Sequence, residues 1–200
     1  TKISSSLFNG CQLLESVTFG SQTAVTGKII FPASLRYVES NAFQNCQTLT
    51  DVDLSACTNL ERLGYMSFRE CKKMTHLDFS ACTSLNNIEG YALSNLYNLK
   101  EVILPSQGNL RLEYNCFEVY SYWDETTQQE VSTGLESLTL TKAVTYLRNN
   151  CLPRTLKTLY VESSTPPSCD GSAFNSITGY ATSLKVYVPN GSKRNYAVAD

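Results

Sequence analysis

A β-rich α/β solenoid, right-handed and with one parallel strand per coil, is the fold class that three features of this sequence predict. The first is a repeat: Asp53 to Leu60 reads DLSACTNL and returns 25 residues later as DFSACTSL, Asp78 to Leu85. Periods of this length mark coils that cannot bury their apolar faces alone. The second is alternation. Segments of the form L-x-x-L-x-L, such as Leu49, Val52, Leu54 and then Met74, Leu77, Phe79, have the period of two of a short strand with one face buried. The third is a recurrent A-F-x-x-C-like step: Ala42-Phe43…Cys46, Ser67-Phe68…Cys71, Ala92-Leu93…Leu96. Its i, i+3 apolar pair predicts one short helical turn on the outer side of each coil.

Taken in order, the strand-like stretches begin with Leu14, Val17, Phe19 and continue with Ile29, Phe31. Then come Val52, Leu54; Leu77, Phe79; Val102, Leu104; Leu138, Leu140; Leu159, Val161; and Val186, Val188. That makes eight, and a second apolar step such as Leu60-x-x-Leu63 follows the strand within a coil. Two places break the frame. Between positions 20 and 28 two strands are squeezed to a 12-residue spacing. An insertion at 118–134 carries VYSYWDETTQQEVSTG, whose alternating Val119, Tyr120, Tyr122 and Trp123 before an acidic turn predict a hairpin. It is either a lid packing its aromatics on the solenoid or an exposed contact loop. The stretch Ser163 to Cys169 reads as a rigid loop, because the frame resumes at Ala173-Phe174. The whole chain, 1–200, is expected to form one domain, ending in a closing segment at 183–200.

The segment LTDVDLSACTNLERLGYMSFREC, the A-F-x-x-C arms and the terminal LKVYVPNGSKRNYAVAD resemble the BspA-like leucine-rich-repeat family over nearly the whole chain. The resemblance implies coils of about two dozen residues. It also implies a bacterial protein, secreted or displayed at the cell surface, some relatives being adhesins for host proteins. No cofactor is implied. The absent initiator Met and signal peptide are expected of a trimmed or processed fragment whose targeting segment is gone.

Composition narrows the function classes. Hydrophobic residues make up 42%, charged residues 17%, and the net charge is −2, which gives no electrostatic case for nucleic acid or an anionic membrane. No apolar run approaches the roughly 20 residues of a membrane helix. Cys46 and Cys71 share the turn position, which Cys11 also matches; Cys57 and Cys82 share the position after the strand. Cys116 and Cys151 stand where Ala42 and Ser67 do, and Cys169 falls outside the frame. Most of the cysteines thus stand in repeat positions that suit small buried residues rather than disulfides. No C-x-x-C or C-x-x-H spacing supports a metal. His76, the sole histidine, faces outward, so no Cys–His dyad is supported. No catalytic residue is assigned, and an enzyme is not expected.

The frame also specifies the exposed strand face. One row runs Ser16, Lys28, Asp51, His76, Glu101, Ser137, Thr158, Lys185. The other runs Thr18, Ile30, Asp53, Asp78, Ile103, Thr139, Tyr160, Tyr187. Eight strands at the usual spacing make a face about 34 Å long. The candidate binding residues are the acidic group Asp51, Asp53, Asp78 and Glu101 beside His76, the aromatics Tyr160 and Tyr187, and Tyr122 and Trp123 of the insertion. The acidic group is either a site for a basic partner or cation, or a solvated face. The tyrosines are either contact anchors or sheet-stabilising pairs. Asn190-Gly-Ser is a formal glycosylation triplet and nothing more. The expected function is a binding or adhesion module for a protein, such as a host or matrix protein, or for a glycan. The alternative is a structural spacer that displays a distal domain.

Overall fold

The computed structural model describes residues 1–19, 25–175 and 183–197. Within them the chain winds as a solenoid with two parallel β-faces. The first of these, here the front, has eight short strands where alternation placed them. They are β2 (Ser16–Val17), β3 (Lys28–Ile30), β5 (Asp51–Asp53), β7 (His76–Asp78), β9 (Glu101–Ile103), β13 (Ser137–Leu140), β15 (Thr158–Val161) and β17 (Lys185–Tyr187). Both rows read from the sequence appear as registers: Lys28 opposite Asp51, His76 opposite Glu101, and Thr139, Tyr160 and Tyr187 in line. Val52, Leu77, Val102, Leu138 and Leu159 between them are buried.

The coil carries two strands rather than the single one expected. A seven-stranded parallel sheet forms the second face. It runs β1 (Lys2–Ile3), β4 (Tyr37–Val38), β6 (Arg62–Leu63), β8 (Asn87–Ile88), β10 (Leu110–Leu112), β14 (Val144–Leu147) and β16 (Ser168–Cys169). Its strands grow from the second apolar step: Leu63 pairs with Val38 and Ile88, and all three are fully buried. Most have only two residues, too few to show a period of two. Gly64 lets the coils approach closely after β6, since a Cβ there would lie 2.7 Å from the Glu39 backbone.

The A-F-x-x-C steps are not helical turns. Asn41, Asn45, Met66, Glu70, Tyr91 and Asn95 all have φ between 55° and 63°. Each such left-handed residue stops a helix from propagating. Alternate amides instead bond to the next coil: Asn41, Phe43 and Asn45 donate N–H to the carbonyls of Tyr65, Ser67 and Arg69. These coil-to-coil bonds offset the strain of placing Met, Glu and Tyr at positive φ. Among the described residues the helix is α1, Lys193–Ala197.

The front face is also not one continuous ladder. Hydrogen-bonded pairing joins β2-β3-β5, then β7-β9, then β13-β15-β17. The expected 25-residue register is found between Leu77 and Val102 but not between Val52 and Leu77, which fall in separate hydrogen-bonded segments. The coils remain stacked across that break, because β6 and β8 pair without interruption and Thr75 still donates its N–H to Thr50 O at 3.4 Å. The break between β9 and β13 coincides with the longest coil, which holds the insertion.

Between the faces lies a core in which equivalent residues stack. Phe8, Phe43 and Phe68 form a column with centroids 5.1 and 5.2 Å apart and nearly parallel rings. All eight cysteines are free. Six are buried; Cys11 and Cys169 are exposed. The buried thiols reach carbonyls of neighbouring coils, with Cys46 Sγ 3.2 Å from Phe8 O and Cys71 Sγ 3.1 Å from Phe43 O. Burial pushes the thiols up, to about 12 for Cys46 and Cys82 and about 11 for Cys57. Cys169 lies within the repeat frame after all, opposite Leu147 in the second sheet, and is exposed because β16 is that sheet's outermost strand. A thiol reagent at pH 8 should therefore label two cysteines in the folded protein and eight after denaturation without reductant. Labelling of five or more in the folded state would contradict this core.

Candidate functional site

The front face divides into three regions of different character. At β3, β5 and β7 charges are engaged with each other. Lys28 Nζ lies 2.9 Å from Asp51 Oδ2 and 3.8 Å from Asp53 Oδ2. Asp53 also accepts hydrogen bonds from the Ser55 hydroxyl and amide, which hold its carboxyl below the usual carboxylate range. Asp78 accepts from the Ser80 amide at 2.8 Å. The three aspartates are consequently half-buried, less accessible than alternation alone implied, whereas Glu101 is exposed. His76 Nδ1 and Glu101 Oε2 lie 3.0 Å apart. The acidic group is thus assembled as the sequence placed it, but most of its members already have partners.

At β15 and β17 the character is aromatic. Tyr160 and Tyr187 are 44% and 50% exposed, with ring centroids 5.0 Å apart and planes 16° from parallel. Val186, expected to point inward and be covered, is 49% exposed, because β17 has a strand on one side only.

Between these regions, where β9 and β13 share no ladder, lies a shallow groove of ≈ 470 Å³ lined by Lys100, Glu101, Ile103, Ser137, Thr139, Thr141 and Glu162 among others. No sequence signal marks it, since it arises from two coils failing to pair.

The insertion is the expected hairpin: β11 (Tyr122–Asp124) runs antiparallel to β12 (Gln129–Val131). Its alternation splits its aromatics. Tyr122 turns to the solenoid, 4.7 Å from the buried Tyr97 ring, with Lys72 Nζ over both rings at 5.8 and 5.6 Å. Trp123, on the opposite hairpin face, is 60% exposed. Of the two readings, lid and contact loop, Tyr122 fits the first and Trp123 the second. The hairpin root holds a group that the sequence did not flag. Glu118 is 1% exposed and accepts from Arg154 Nε at 2.6 Å, while the Arg154 guanidinium sits 5.2 Å over the Tyr120 ring. Asn95 Oδ1 accepts the Tyr120 amide, and Thr133 donates to Tyr97 O, so both hairpin stems are tied to one coil.

The second face carries several groups of ion pairs. Arg62 bridges Glu39 and Glu89, Arg36 pairs with Glu61, and Arg148 joins Glu113 to Asp170. Tyr65, Tyr91 and Tyr114 line its border edge to face at 5.9 and 5.6 Å.

A family model of the BspA-type leucine-rich-repeat region matches residues 1–122 and 26–155, in six copies. The chain belongs to the BspA-type leucine-rich-repeat family. Two solved structures resemble this BspA-type chain. One is a leucine-rich repeat protein from Bacteroides ovatus, 15% identical, covering 94% of this chain and 64% of that one with a TM-score of 0.44. The other is a leucine-rich cell-surface protein from Faecalibacterium prausnitzii, 14% identical, covering 86% and 61% with a TM-score of 0.31. The chain thus spans less than two thirds of the length of either. No curated protein matches it. No helix among the described residues is long and apolar enough to cross a membrane.

Proposed function

We propose that this BspA-type chain is a binding or adhesion module, secreted or displayed at a cell surface, which recognises a protein or glycan partner through its front face and insertion hairpin. The observation that carries this reading is the exposed Tyr160–Tyr187 stack. Large amphipathic rings presented to solvent are the side chains that anchor interfaces. Trp123 offers a second anchor, 60% exposed at the hairpin. A spacer role is the second reading, favoured by the second face, whose arginines and carboxylates are so largely engaged with each other.

Arrays of matrix proteins and glycans distinguish the two. For any partner found, Tyr160→Ala with Tyr187→Ala should weaken binding at least 30-fold, equivalent to about 2 kcal/mol. Stability should fall by only about 0.5 kcal/mol per exposed site. A double variant that melts early while binding unchanged would make the tyrosines sheet-stabilising residues and leave Trp123 as the anchor. A chain that binds nothing on either array is a spacer.

A further inference from the structure

Resting on that binding reading, we propose that the groove between β9 and β13, with the Tyr160 ring beside it, is a subsite for one ring of a neutral oligosaccharide. Three observations combine. First, the groove has hydrogen-bonding side chains with no partner among the described residues. Lys100, Ser137, Thr139 and Glu162 line it, and their side chains make no hydrogen bond or ion pair among the described residues. This contrasts with the second face, where charged side chains meet one another. Second, the groove opens where β9 and β13 share no ladder bonds.

The third observation is the orientation of an aromatic surface. Tyr160 and Tyr187 are register partners on adjacent strands, and their centroid separation of 5.0 Å nearly equals the strand spacing. Their ring planes therefore stand across the solenoid axis. One face of Tyr160 is covered by Tyr187. The other looks along the axis toward Thr139, its register partner on β13, which is too small to cover it. Beyond Thr139 and the groove stands Ile103, itself 37% exposed. Ile103 lines the groove on its β9 side, and Tyr160 stands next to Thr139 on its β15 side. That leaves a slot with apolar ends, a small floor and polar sides.

A pyranose ring matches this chemistry. Its C–H face is apolar and can lie on the tyrosine, while its equatorial hydroxyls each donate and accept. They can engage an ammonium, carboxylates and hydroxyls together and replace the water that must otherwise solvate them. Two carboxylates, Glu101 and Glu162, against one ammonium, Lys100, disfavour an acidic sugar, which makes the ligand neutral.

The test is a printed array of neutral gluco-, manno-, galacto- and N-acetylglucosamine oligosaccharides. Isothermal titration with the bound oligosaccharide follows, on wild type and variants of matched melting temperature. Thr139→Arg, which fills the slot, and Tyr160→Ala should each weaken binding at least tenfold, with Thr139→Ser and Lys73→Ala, an exposed residue away from the groove, within twofold of wild type. Should Thr139→Arg fold poorly, Lys100→Ala with Glu162→Ala serves instead and should show the same loss. A glycan whose binding depends on Trp123 and not on Thr139 or Tyr160 overturns the subsite while leaving the binding module intact. Capture of a matrix protein but of no neutral glycan does the same. Binding of nothing overturns both.

Discussion

Arg154→Met is expected to cost about 3–5 kcal/mol of folding stability, measured by urea unfolding at pH 7. The size follows from what the substitution leaves behind. Glu118 is buried, and one carboxylate oxygen, Oε1, takes its hydrogen bond from Arg154 Nε, while Oε2 has no hydrogen-bond partner among the described residues. Removing the guanidinium strands an ionised group in a poorly solvated site and uncovers the Tyr120 ring beneath it. Replacing both partners, with Glu118→Leu added to Arg154→Met, should recover most of the loss, since no charge then remains to desolvate. The two residues lie 36 apart and hold the coil before the hairpin against the coil after it, so the single variant should also make Glu125 to Gln128 more sensitive to protease. A loss under about 1 kcal/mol would mean that water reaches Glu118.

Cys57→Asp should be comparably damaging, about 4 kcal/mol or more, while Cys57→Ala should cost only about 1–2 kcal/mol. The thiol is fully buried and 3.6 Å from Pro32 O, and the burial that raises its pKa to about 11 opposes any negative charge there. Alanine leaves a small void. Aspartate must either hold a proton well above its ordinary range or bury a charge with no cation near it. Thermal melts of the two variants at pH 7 test the difference. Similar melting temperatures would show that the repeated cysteine is not core.

By itself the sequence determined the period, the eight front strands and which side chains each turns outward. It could do so because alternation is local: Asp51, Val52 and Asp53 face as they do whatever lies beyond them. A 25-residue repeat then places equivalent residues side by side, as His76 opposite Glu101 shows. The same logic located six buried cysteines and the hairpin. The second sheet was hidden because Arg62–Leu63 and Asn87–Ile88 are too short to display a strand's period, and only stacking pairs them. The outer turns read as helical from their i, i+3 apolar pair, yet coil-to-coil hydrogen bonds fix left-handed residues there, overriding local preference. Stacking likewise decided that Lys28 and Ser55 occupy the aspartates, that Val186 is left uncovered, and that Glu118 meets Arg154. The groove beside Thr139 belongs to the same class. It exists because two coils of unequal length stack without pairing, a relation between distant segments that no local pattern of residues records.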